Sequence, residues 1–277
     1  MSIRLNVSLT SIKKSKSDSI YYPTSLHYKE PQGTWDSIPV TIRARGNFRR
    51  KHCFFPPMRI KISKSAAKGT PFTGTKSLKL VLPCESGKNA NHLLMKEYIC
   101  YELYKPITPY YFKTRLLEVT LKDESGRQPK TYQLAGFFIE DDDAAARRLQ
   151  AKPVDEPKLN PLQLGDTSSL RLDLFQYMIA NTDYSTTFSH NVKSIKTEDG
   201  RYIPIPYDFD MAGFVNAPYA TFDESLGIRS VHERVYKGFC RNEKVTEFVR
   251  NEYVALEPEI NRVIDRYEIQ FEPKEFT

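Results

Sequence analysis

Seven stretches in the first half of the chain alternate apolar and polar residues or concentrate β-branched and aromatic ones: residues 4–9, 21–28, 40–45, 58–62, 77–82, 115–121 and 132–139. A period of two places every second side chain on one face, so each is predicted as a strand. One helix interrupts them. Over 91–104 the apolar residues Leu93, Leu94, Ile99, Tyr101 and Leu103 spread around a helix, with Asn89 or Asn91 as its cap and Pro106 as its stop.

The pattern changes at 140–149, where Glu140, Asp141, Asp142 and Asp143 precede a run of helix formers. A strand ending in acids predicts a hinge there, and Pro153, Pro157 and Pro161 predict an exposed connection over 151–165. Apolar residues at 172, 174, 175, 178 and 179 fit a helix buried on one side. Residues 191–195 and 201–206 read as two strands, joined by a turn at 197–200 with Asp199-Gly200 as the hairpin signal. Apolar spacing over 244–267 suits a long last helix, in which Pro258 is out of place. A sheet with one helix, then a mostly helical half, predicts an α+β chain of two lobes with a cleft between them. The β-rich N-terminal lobe covers 1–140 and the mainly helical C-terminal lobe 141–277.

Composition narrows the picture. A chain of 277 residues, 40% hydrophobic and 12% aromatic, buries a substantial core and is not of the disordered class. No run of about 18 apolar residues is present, so no membrane-spanning helix is expected. The start of the chain alternates like a strand and shows no export signal. Cys53, Cys84, Cys100 and Cys240 are too far apart for a zinc knuckle or a CxxC pair, and isolated buried thiols are expected. The net charge of +7 is unevenly spread: residues 41–68 hold nine arginines and lysines and no acid. Such a strip attracts nucleotide phosphates or nucleic acid.

The candidate chemistry lies in two acidic stretches, Asn181-Thr182-Asp183 followed by His190-Asn191, and Tyr207-Asp208-Phe209-Asp210. Phosphoryl transfer from a nucleotide needs one carboxylate to orient the acceptor hydroxyl, and an amide plus a second carboxylate to hold a divalent metal. Asp183 is the candidate base, Asn191 and Asp208 are the candidate metal ligands, and Asp210 assists. The hairpin between them sets the distance between the two acids. In the basic half, Arg43 and Arg45 share one strand face and end at Gly46-Asn47, where a glycine lets the backbone approach a phosphate. Arg59 and Lys61 share a face of the next strand. Lys79 sits inside an apolar strand, with Glu97 and Glu102 on the following helix as its candidate carboxylate partners.

Together Arg43-Ala44-Arg45-Gly46-Asn47, Pro57-Met58-Arg59-Ile60-Lys61, Gly136-Phe137-Phe138-Ile139-Glu140, Asn181-Thr182-Asp183 with Asn191, and Tyr207-Asp208-Phe209-Asp210 resemble the CotH family of atypical, spore-coat-type protein kinases, in the same order and over roughly residues 40–215. The resemblance implies a two-lobed, kinase-like fold and an enzyme that uses ATP with Mg or Mn to phosphorylate secreted proteins. It implies Asp183 as base, Asn191 and Asp208 as metal ligands, Lys61 or Lys79 at the phosphates, and Glu140 near the adenine. Asp183 and Asn191 are eight positions apart, against about five in an ordinary kinase loop, so either the loop around Ser185-Thr186-Thr187 bulges or the metal amide is another residue. No G-x-G-x-x-G loop is present, which leaves the phosphate grip to Arg45, Gly46 and Asn47. The expected function is phosphotransfer to protein hydroxyls. AMP transfer, or nucleotide or anion binding without turnover by a pseudokinase module, are the alternatives. A protein substrate and a nucleotide are the expected partners, and nucleic acid is the weakest candidate. The resemblance favours an exported protein, the start of the chain argues the other way, and the compartment stays open.

Overall fold

The computed structural model of the chain describes residues 1–15, 19–46, 48–87 and 89–268. In chain order the elements are β1 (Ser2–Val7), α1 (Leu9–Lys14), β2 (Tyr22–Lys29), β3 (Trp35–Ala44), α2 (Phe48–His52), β4 (Met58–Ile62), α3 (Lys64–Ala67), β5 (Ser77–Val81), α4 (Ala90–Tyr104), β6 (Thr114–Asp123), β7 (Lys130–Glu140), α5 (Asp142–Arg148), β8 (Ala151–Val154), α6 (Asp166–Met178), β9 (Val192–Thr197), β10 (Tyr202–Pro206) and α7 (Glu243–Glu268). The chain divides into two compact units, one of Met1–Leu94 with Lys113–Asp141, the other of Met95–Phe112 with Asp142–Thr277.

All seven strands read from the first half form, and so does the helix at 91–104. Their arrangement differs from the expected one. The strands close into a mixed barrel in the order β1-β2-β3-β4-β5-β7-β6. The closing pair, β1 with β6, is parallel, with Ser2 opposite Glu118 and Val7 opposite Asp123, and the other ladders are antiparallel. Closure leaves the barrel sheet without an edge strand. Inside, Leu5, Leu26, Ile42, Met58, Ile60 and Leu121 are fully buried. Each such side chain contributes about 1.5–3 kcal/mol by leaving water.

The expected two-lobed, kinase-like fold with a mainly helical second half is therefore not the fold of this protein. The first half is a closed seven-stranded barrel, and the second half has few helices and a three-stranded sheet, β10-β9-β8. Part of the expected exposed connection is β8, which pairs antiparallel with β9. Proline cannot donate to a ladder and is tolerated on edge strands. Pro153 lies on one edge, Pro204 and Pro206 on the other, and central β9 has none.

The cysteine expectation is corrected too. Cys53 and Cys84 form a disulfide, leaving Cys100 as a buried thiol and Cys240 as an exposed one. The bridge lies beyond the β4–β5 ladder, which pairs Met58 with Leu80, and one residue off its register, since it is the Phe54 N–H that donates to the Cys84 carbonyl, at 2.7 Å. Spacing in the sequence does not reveal a register.

In the second unit, Phe175 of α6 packs against Tyr104 and Phe209, with ring centroids 4.8 and 5.6 Å apart. Leu172, Tyr184 and Val192 form a second buried cluster, which ties α6 to the loop after it and to β9. α7 runs through Pro258 without a break.

Candidate functional site

Helix α6 ends at Met178, and Ala180 takes a left-handed backbone, with φ of 53°. The chain then turns on Asn181, which is buried. Its Oδ1 accepts the Asp183 N–H at 3.0 Å, and its Nδ2 donates to Gln176 Oε1 at 2.9 Å. A side-chain oxygen that takes the N–H two residues on is the local bond for which asparagine is suited. It anchors Asp183 to the helix end. The sequence places Asn181 in the motif, but its role is support.

Asp183 and Asn191, eight positions apart, are in direct contact. Asn191 Nδ2 donates to the Asp183 carbonyl at 2.8 Å and to its Oδ2 at 2.9 Å. The loop between them is pinched where Ser185 and His190 exchange backbone hydrogen bonds of 2.9 and 3.0 Å. His190 Nε2 lies 2.8 Å from Asp183 Oδ1, so both carboxylate oxygens have a nitrogen partner. Asn191 has a left-handed backbone, with φ of 50°. Its Nδ2 is committed to Asp183, while its Oδ1 has no hydrogen-bond partner among the described residues.

The β9–β10 hairpin carries Asp208 to the same end. The ladder pairs Val192 with Pro206 and continues one step beyond the strands, where the Tyr207 N–H donates to the Asn191 carbonyl at 3.0 Å. Asp208 follows directly, half-buried and left-handed at φ of 63°, with its N–H on the Tyr101 hydroxyl at 2.9 Å. A non-glycine residue in that region is uncommon and must be held by its surroundings. Buried Phe209 holds it from the next position, 4.7 Å from the Tyr101 ring. Asp210 is buried. Beyond it, Gly213 and Phe214 donate to the carbonyls of Ala180 and Ile179 at 2.9 and 3.0 Å, so the chain returns to the end of α6. Gly213 admits no side chain: a Cβ there would lie 2.2 Å from the Val231 carbonyl oxygen.

A cation at this place would be held by Asn191 Oδ1 and the Asp208 carboxylate. Both are hard oxygen donors of the kind Mg takes, together with water and substrate phosphate. Among the described residues no group of three or more His, Cys, Asp or Glu is arranged around a metal.

The basic residues belong to the first unit. Cross-strand pairing sets Arg43 opposite Arg59 and Arg59 opposite Lys79, a row of three cations over β3, β4 and β5. Neighbouring residues on each strand, such as Ile42, Ile60 and Leu80, face the barrel core, so the row lies on its outer face. Arg59 Nε donates to Ser77 Oγ at 2.9 Å, and its Nη2 is ion-paired to the buried carboxylate of Asp141. Arg43 Nε donates to the Tyr21 hydroxyl at 3.1 Å, and Lys61 lies 4.1 Å from the centroid of the same ring. The row appears only once three strands are in register, so one strand read alone shows one of its three members.

The remaining expected residues lie on several elements. Arg45 falls just beyond β3, its N–H on the Pro57 carbonyl at 2.8 Å, and Asn47 lies outside the described residues. Lys79 is buried in β5, in the first unit. Glu97 and Glu102 are buried on the part of α4 that belongs to the second, and Glu102 is ion-paired to Lys105. Glu140 ends β7 and accepts the Lys113 N–H at 3.1 Å.

No protein-family model matches the chain, and a search of the curated proteins found no match. Among the described residues no helix is long and apolar enough to cross a membrane.

Proposed function

We propose that the Asp183, Asn191 and Asp208 cluster is the centre of an ATP-dependent phosphotransferase that acts on a protein hydroxyl. The observation that carries this reading is the Asp183–Asn191 contact at 2.9 Å, with Asp208 one residue beyond the hairpin pair that Asn191 makes with Tyr207. Base, amide and second acid thus gather at one hairpin end. The sequence itself, with nine arginines and lysines and no acid over residues 41–68, favours a substrate that bears phosphates. The resemblance to CotH-type kinases supports the activity; the kinase-like fold it implied is set aside.

In the proposed step the acceptor oxygen attacks the γ-phosphorus of ATP. The bond from phosphorus to the bridging oxygen breaks, its electron pair leaves with ADP, and the hydroxyl proton passes to the Asp183 carboxylate. A bound Mg or Mn would neutralise charge on the β- and γ-phosphate oxygens. Asn191 orients Asp183 through its Nδ2 and turns its Oδ1 to the cation, while Tyr101 and Phe209 hold the backbone that presents Asp208.

Labelled ATP with Mg or Mn and a mixed protein acceptor tests the reading. Asp208→Ala is expected to abolish metal-dependent nucleotide binding, and Asp183→Ala to keep binding while lowering turnover by about 100-fold or more. Full transfer by both variants would overturn the assignment. Nucleotide-dependent thermal stabilisation of the unaltered protein without ATP consumption would point instead to a binding module.

A further inference from the structure

The chain between Asp210 and α7 has little regular structure, yet residues 234–241 are pinned along α6. Arg234 Nε donates to the Met178 carbonyl at 3.2 Å. Arg241 reaches Asp166 Oδ1, the Pro161 carbonyl and Ser169 Oγ at 2.7, 2.8 and 2.9 Å. Gly238 passes so close to the helix that a Cβ there would lie 2.4 Å from Asp173 Oδ2. Contacts on both sides therefore fix the main chain at Lys237.

The Lys237 ammonium donates to the carbonyls of Thr182, at 2.5 Å, and Tyr184, at 3.1 Å. These are the two residues that flank Asp183. Its nitrogen also lies 5.3 Å from the centroid of the Tyr184 ring. Burial pushes the ammonium below its ordinary range, while Asp183 and Asp223 act to hold it charged. An ammonium has three N–H groups. Two are used on the carbonyls, and the third has no protein partner among the described residues.

We propose that Lys237 is the cation of the transfer step: it positions the Asp183 loop through two carbonyls and offers its third N–H to the phosphoryl group in transit. This rests on the phosphotransfer reading above. Charge in such a transition state spreads over the equatorial phosphoryl oxygens, where a donor fixed beforehand is most effective.

Lys237→Met keeps the stem and removes the donor, whereas Lys237→Arg keeps the charge. The assay measures kcat and KM for ATP with Mg, the thermal midpoint, and tripolyphosphate binding by calorimetry. Lys237→Met is expected to lower kcat about 100-fold with KM changed less than about threefold, and to weaken tripolyphosphate binding. Lys237→Arg is expected to restore most of both. A Met variant with kcat within about threefold of the parent, or equal losses in both variants that follow a lowered midpoint, would overturn the proposal. If the unaltered protein transfers no phosphate with Mg or Mn, the phosphotransfer reading falls and tripolyphosphate alone decides for the lysine. Weaker binding by the Met variant at an unchanged midpoint then keeps the anion contact, and unchanged binding removes it.

Discussion

Asp173 keeps a carboxyl group where ionisation is disfavoured. It is 3% exposed, with Gly238 close against one oxygen and the Tyr184 hydroxyl donating to the other at 3.0 Å. Burial raises its pKa from 3.8 to about 7, against the pull of Tyr184 and Arg241. Between those values the folded chain holds a proton that the unfolded chain has lost, so this group makes stability fall as pH rises from about 4 to about 7, then level off. Asp173→Asn removes the titration and still offers an oxygen to Tyr184. Its stability relative to the parent is expected to rise through that window, by on the order of 4 kcal/mol at most. Urea unfolding at pH 5 and pH 8 checks this, and an equal difference at both would refute it. The residue types of the candidate site were legible in the sequence, because three aspartates and an asparagine around a hairpin signal suffice to nominate it. What their neighbours touch was not. Asn181 and His190 stand in the motif but reach Asp183 only through the turn after α6 and a loop pinch, and Lys237 lies in a stretch without periodicity.

At the scale of elements, α7 shows how far tertiary context overrides local preference. Pro258 removes the N–H that would bond the Val254 carbonyl, yet the helix runs on to Glu268. Val254 is 67% exposed, so water can take the bond that the helix gives up. Pro258→Ala is expected to stabilise the protein by about 1–3 kcal/mol, read from the urea midpoint. A drop would show that the proline shapes a bend that packing uses. Strand positions were readable because alternation is local. β8 was hidden because its edge-strand proline imitates a connection, and short α1, α2 and α3 have too few residues to show a period.

For the whole molecule, the first unit joins a closed barrel to a covalent clamp. Cys53 and Cys84 are separated by 31 positions, and linking them removes closure entropy from the unfolded chain worth about 3–4 kcal/mol. Replacing both by serine is expected to lower stability by that order, and dithiothreitol is then expected to shift the unfolding midpoint of the parent but not of the variant. No effect of either would mean that the link adds nothing. What the sequence lacked at this scale was pairing. Alternation shows that seven strands exist, but nothing in residues 2–7 says that they lie parallel to residues 118–123.

That pairing has a consequence for how the chain is made. The opening strand meets a partner 116 positions later, and the sheet cannot seal until residue 140 has left the ribosome, because β7 joins β5 to β6. Until then the six earlier strands are a curled ribbon with two bare borders, and the nascent chain is most exposed to its neighbours around the midpoint of its own translation.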